Sequence, residues 1–218
     1  MTRKRVGVLI SGRGSNMAAL IEAAKAADYP AEIALVLSNR PEAGGLVTAR
    51  REGISTAVVD HIAFEKDRTA FERAMQAELD KHRIELVCLA GFMRLLTPTF
   101  VKHWQNRMLN IHPALLPAFQ GLDTHARALA AGVKVHGASV HFVVPEMDAG
   151  PIIAQGAVAV RDDDTEESLA ARVIDIEHRL YALALRLIAE GRVQVESGRC
   201  VIAGPAVGGS LLVPADRH

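Results

Sequence analysis

Short apolar runs separated by amphipathic stretches constrain this chain more than any other feature. Val6 to Ile10, Ile33 to Leu37, Thr56 to Val59, Leu86 to Leu89 and Met108 to Ile111 are the runs, several of them rich in Val and Ile. Segments of that length and composition suit strands buried on both faces of a parallel sheet. Between them, Asn16 to Ala27, Gly45 to Glu52 and Arg68 to His82 gather their charges mostly on one helical face. The alternation predicts a doubly wound α/β domain with a mostly parallel sheet over the first half. Half of the 218 residues are apolar, enough for a sizeable core.

The second half changes character. Ala138 to Val144 and Ile152 to Val160 read as extended runs joined by the turn-rich segment Pro145 to Pro151. Asp162-Asp163-Asp164-Thr165, with Glu166 and Glu167 following, predicts the start of a long helix running to about Glu190, where Gly191 closes it. Ser197-Gly198 between Val193–Glu196 and Arg199–Ile202 predicts a terminal hairpin. Gly204 to His218 is Gly- and Pro-rich and is expected to be loosely ordered.

Charge and cysteine content exclude several function classes. Lys plus Arg and Asp plus Glu number 25 each, so no general field draws the chain to nucleic acid or an anionic membrane. Cys88 and Cys200 form neither a disulfide framework nor a metal knuckle, and suit a reducing cytoplasm. The apolar run after the basic N-terminus ends at Ser11, too short for a signal or a span.

Two motifs carry chemistry. Asn110-Ile111-His112-Pro113-Ala114-Leu115-Leu116-Pro117 follows a predicted strand and presents an amide and an imidazole two residues apart, hence on one side of an extended segment. Two N–H groups aimed at one point suit a carbonyl oxygen that gathers negative charge during acyl transfer, and the prolines stiffen the loop. Gly12-Arg13-Gly14-Ser15-Asn16 lies between the first strand and the first helix, where free N–H groups and the helix dipole favour a phosphate. Met17 stands where a dinucleotide fingerprint needs a third glycine, and no Gly-Lys-Ser/Thr follows, so a monophosphate is expected. No covalent intermediate is expected: Ser15 and Ser139 lack a nucleophile elbow, and neither cysteine has an activating partner. His112, His125, His136, His141 and Asp148 lie in the central third without a metal-ligand spacing, so no metal is expected. His141, between apolar Val140 and Phe142, fits a structural histidine as well as a site residue.

With Leu89 to Leu96, His136 to Phe142 and Asp148 to Ile153 in the same order, these motifs resemble the phosphoribosylglycinamide formyltransferases, folate-dependent enzymes of purine synthesis, over about Arg5 to Gly191. The resemblance implies one formyltransferase domain over 1–218, with a ribonucleotide half at about 1–105, a catalytic and folate half at about 106–190, and a hairpin and tail at 191–218. It implies formyl transfer from 10-formyltetrahydrofolate to the amine of glycinamide ribonucleotide. By the same resemblance Gly14, Ser15 and Asn16 would hold the phosphate and Glu177 the ribose hydroxyls. Met93, Arg94, Leu95, Leu96 and Asn110 would meet the folate, with Arg68 beside it, and Asn110, His112 and Asp148 would form the catalytic trio. From the residues alone, Glu177 fits a solvated charge paired with Arg172 or Arg179, Arg68 a surface-helix charge, and Met93, Leu95 and Leu96 ordinary core. Two departures fall on the substrate rim: Asp123, where a bacterial member has His, and Ile174, where a polar contact is expected.

A cytoplasmic enzyme, monomeric or weakly dimeric and free of nucleic acid, membrane and metal, is the resulting expectation. The alternatives are hydrolysis of 10-formyltetrahydrofolate, whose enzymes carry an added N-terminal regulatory domain, and transfer to another amine, such as an initiator aminoacyl-tRNA, which needs a C-terminal RNA-binding domain. A nucleotide-sensing module is the non-enzymatic alternative.

Overall fold

β1 (Lys4–Ile10) lies between β2 (Ala31–Ser38) and β4 (Leu86–Leu89), parallel to both, and its side chains are buried on both faces of the sheet. Val6, Val8 and Ile10 point to one core and Leu9 to another, as the period of a strand requires. Gly7 belongs to the second side, where a Cβ would stand 3.0 Å from Leu79 Cδ2. A computed structural model describes residues 3–204; the expectation for the C-terminal tail falls on 205–218, outside the described residues.

The full sheet has seven strands in the order β3-β2-β1-β4-β5-β6-β7, where β3 is Thr56–Val58, β5 Met108–His112, β6 Val135–Phe142 and β7 Ile152–Ala159. β1 to β5 are parallel, and β6 and β7 are added antiparallel. The doubly wound, mostly parallel sheet is therefore present, with a separate terminal hairpin of β8 (Val193–Glu196) and β9 (Arg199–Ile202). One face is covered by α1 (Ser15–Ala24), α2 (Gly44–Arg51) and α6 (Glu166–Ala189). The other is covered by α3 (Arg68–Lys81) and α4 (Pro98–His103), with Trp104 buried beside them. The short helices α4 and α5 (Thr124–Ala130) and a 3₁₀ turn at His61–Phe64 are additions to the sequence reading. Each has seven residues or fewer, too few turns for an amphipathic period to declare itself.

α6 starts as its sequence directs: Thr165 accepts from Ser168 N–H, and the Ser168 hydroxyl answers the Thr165 N–H in a capping box. Leu169, Val173, Leu180, Tyr181 and Ala184 form its buried stripe. β6 begins at Val135 and ends at Phe142, earlier at both ends than the apolar run suggests. The long turn that follows it brings Asp148 back over the sheet. Strand order reverses between β1 and β4, and in such sheets the crevice outside the carboxyl ends at that point receives ligands.

Candidate active site

Asn110 and His112 are on β5 and share a face, opposite Leu109 and Ile111, which enter the core under α1 and α6. β6 sets their neighbours by register: Asn110 faces His141 and His112 faces Ser139. His141 Nδ1 lies 2.9 Å from the Phe142 carbonyl, an acceptor only, so this nitrogen carries the proton of the neutral ring. His141 Nε2 is then an acceptor, 3.3 Å from Asn110 Nδ2; the network thus assigns the amide orientation. One Asn110 N–H is held by His141 and the other remains for the crevice. Ser139 donates to Ala114 O at 2.7 Å and accepts from Leu116 N–H at 3.0 Å, while Gln155 donates to Leu116 O at 2.9 Å. Those bonds lock the Pro113–Pro117 loop onto β6.

Asp148 reaches the same place from the β6–β7 turn. Its φ of 52° is left-handed, and Gly150 follows where a Cβ would fall 1.7 Å from Phe142 O. Only glycine permits that approach. The approach sets Asp148 Oδ2 3.4 Å from His112 Nδ1 and Oδ1 3.7 Å from His141 Nε2. Burial alone would raise the Asp148 carboxyl. The Gly121 N–H, which donates to Oδ2 at 3.0 Å, and the charge that either imidazole carries when doubly protonated outweigh it and hold the carboxyl below its usual range. His112 Nε2 lies 2.9 Å from Phe119 O and so carries a proton. Its Nδ1 can donate only when the ring is doubly protonated, with the Asp148 carboxylate as charge partner.

Across the crevice, Gly14 caps α1 with φ 72° and no side chain closes the helix end, so its first N–H groups face outward. Asn16 Nδ2 donates to Glu177 Oε2 at 2.7 Å, and Asn16 Oδ1 is buried without a partner among the described residues. Glu177 is 7% exposed, and burial raises its carboxyl despite the Asn16 bond. The solvated-charge reading of Glu177 is thereby corrected; Arg172 pairs with Asp164 instead. Glu177 falls four residues after Val173 and four before Tyr181, inside the apolar stripe of α6, and an acid in such a stripe is the signal that finds it.

A formyl transferase family model matches residues 4–185. The chain belongs to the formyl transferase family. It is 44% identical over 197 residues to the Escherichia coli phosphoribosylglycinamide formyltransferase, covering 90% of this chain and 92% of that protein. It is 50% identical over 196 residues to the Gallus gallus trifunctional purine biosynthetic protein adenosine-3, covering 89% of this chain but 19% of that protein. The chain thus spans about a fifth of the length of such trifunctional relatives. The crystal structure of glycinamide ribonucleotide transformylase 1 from Symbiobacterium toebii superposes with a TM-score of 0.88 at 46% identity, over 92% of this chain and 94% of that one.

In this formyl transferase the Gly91–Leu96 loop leaves β4 beside the crevice. Met93 and Leu95 are 67% and 61% exposed, so the core reading does not hold for them, while Leu96 packs against the second core and Arg94 is half-buried. Arg68 is exposed at the first position of α3 and the structure does not bring it against the trio. Glu72, one turn on and 5% exposed, accepts from Thr97 N–H at 2.6 Å and from the Thr97 hydroxyl, joining α3 to the end of the loop; no local pattern marked it. Asp123, left-handed at φ 55°, caps α5 without a side-chain bond, and Ile174 is half-buried on α6.

The remaining histidines stay outside the trio. His136 is 1% exposed, its ring edge-on to His125 at 5.3 Å and to Phe119 at 5.8 Å. Among the described residues no three His, Cys, Asp or Glu side chains are grouped to hold a metal ion, and no helix is long and apolar enough to cross a membrane. Burial pushes the Cys88 thiol up to about 12 and Cys200 to about 11, far from nucleophilic use. A cavity of about 710 Å³ lined by Lys4, Glu85, Arg107 and Val193 lies at the amino ends of the strands, away from this chemistry.

Proposed function

We infer that this chain transfers the formyl group of 10-formyltetrahydrofolate to the amino group of glycinamide ribonucleotide, in the synthesis of purine nucleotides. The observation that carries this reading is the meeting of Asn110, His112 and Asp148 within the crevice that also receives the α1 N-terminus and Glu177. Gly14, Ser15 and Asn16 bind the ribonucleotide phosphate at the open helix end. Glu177, turned by Asn16, accepts from the ribose hydroxyls. The Met93, Arg94, Leu95 and Leu96 segment offers main-chain groups and apolar side chains to the folate, with Arg68 at its outer end.

10-Formyltetrahydrofolate supplies an electrophilic formyl carbon on N10. As the amine attacks it, the free Asn110 N–H and the His112 Nδ1–H donate to the oxygen that becomes negative. Donors held in place before reaction are each worth ~2.7 to 4 kcal/mol of barrier. Asp148 balances the imidazolium charge and passes the amine proton, through water, towards N10 as the C–N10 bond breaks. No metal and no covalent enzyme intermediate enters. The enzyme acts in the cytoplasm as a monomer or weak homodimer.

Deformylation of 10-formyltetrahydrofolate followed by absorbance, with and without glycinamide ribonucleotide and with Asn110→Ala as blank, tests this reading. Turnover only with the ribonucleotide is expected. Turnover indifferent to it identifies a hydrolase, and none in either case removes the proposal.

A further inference from the structure

Ser11, the residue just before the phosphate loop, carries more connections than its place at a strand end requires. Its hydroxyl donates to Asn39 Oδ1 at 2.6 Å and accepts the Met93 N–H at 2.7 Å. Its own N–H donates to Gly91 O at 3.2 Å. Ser11 and Asn39 are 7% and 1% exposed, so water does not readily replace these partners. Asn39 is fixed in turn: its carbonyl accepts from His61 Nδ1 at 2.9 Å, and its Nδ2 lies 3.2 Å from the same ring. Next along the chain, Gly12 O accepts the Gly45 N–H at 3.0 Å, tying the phosphate loop to α2.

We propose that Ser11 is a positioning residue that couples the two substrate pockets, linking the seating of the phosphate loop to that of the folate loop through its bonds to Asn39 and Met93. The proposal rests on the substrates assigned above. With its proton committed to Asn39 and a lone pair to Met93, the hydroxyl has one satisfied arrangement. A shift of Gly12 to Asn16 on closing around a phosphate displaces Ser11, and the Met93 N–H then loses its buried acceptor unless the Gly91–Leu96 loop follows. A pair of loops bound to settle together makes each ligand favour the other, and the coupling is reciprocal.

The test uses the non-reacting pair tetrahydrofolate and glycinamide ribonucleotide, with affinities measured by anaerobic calorimetry. The ribonucleotide is expected to tighten tetrahydrofolate binding by about tenfold in the native enzyme, within the common range for coupled sites. Ser11→Ala is expected to bring that ratio to within about twofold of one, and Ser11→Thr to restore it. Ser11→Cys keeps a small polar side chain of similar shape but weakens both bonds, is expected to lose most of the ratio, and serves if the alanine variant does not fold. A native ratio of one, or a Ser11→Ala variant that melts earlier yet keeps the native ratio, overturns the proposal. Failure of the native enzyme to bind the ribonucleotide at all instead overturns the substrate assignment beneath it.

Discussion

Asn16 and Glu177, 161 residues apart, share a 2.7 Å hydrogen bond beneath the crevice. It joins the first turn of α1 to the middle of α6, and the largely buried carboxylate faces the site with one oxygen already held. Glu177→Ala is expected to raise KM for the ribonucleotide about 10- to 100-fold, the worth of ~1.5 to 3 kcal/mol for hydrogen bonds to a charged group. KM for the folate should change little; steady-state kinetics in both substrates decide it, and a parallel rise in both would remove Glu177 from the ribose.

Asn110→Ala is expected to lower kcat by roughly 10²- to 10³-fold with near-native ligand binding. His141→Ala should cost kcat about tenfold through the loss of its bond to Asn110. If His141 acts by orienting that amide, the double variant costs no more than Asn110→Ala alone, as a double-mutant cycle would reveal.

Asp148 is held below the usual carboxylate range. Its stabilising contribution is therefore complete above its unfolded value of about 3.9 and is lost as pH falls through its lower folded value. Asp148→Asn is expected to hurt turnover far more than ribonucleotide binding. Its stability deficit against the native protein should be constant from pH 7 to 5 and shrink only in stronger acid, as read from urea midpoints.

His136 behaves in the opposite chemical sense. Burial first, then the neighbouring His125, push it down to about 4 from 6.5. Between those values the unfolded chain binds the extra proton, so stability rises with pH across that window; it is complete above about 6.5 and lost as pH falls through about 4. The His136 ring resonances should not move between pH 8 and 5.5 in a histidine NMR titration; a midpoint near 6.5 would contradict the burial argument.

Gly150→Ala places a Cβ 1.7 Å from Phe142 O. The turn must open, which costs on the order of 3 kcal/mol, as for overpacking against a neighbouring main chain, and withdraws Asp148 from His112. Both a lowered Tm and a reduced kcat are expected, even at temperatures where the variant is fully folded.

Much of this molecule was legible in its local pattern. Val6 to Ile10 announced a strand buried on both faces, Thr165 announced a helix start, and the two-residue spacing of Asn110 and His112 placed them on one face of β5. Each follows from dihedral preference, side-chain period or capping, which act within a few residues. The tertiary structure alone decided that β6 runs antiparallel beside β5 in the register that sets His141 against Asn110 and Ser139 against His112. It alone buried Glu177 against Asn16, Glu72 against Thr97 and Ser11 between Asn39 and Met93. Those pairings join residues far apart in the chain. Their geometry is set when separate apolar faces pack together and every polar group left inside must find a partner, a condition no stretch of sequence meets by itself.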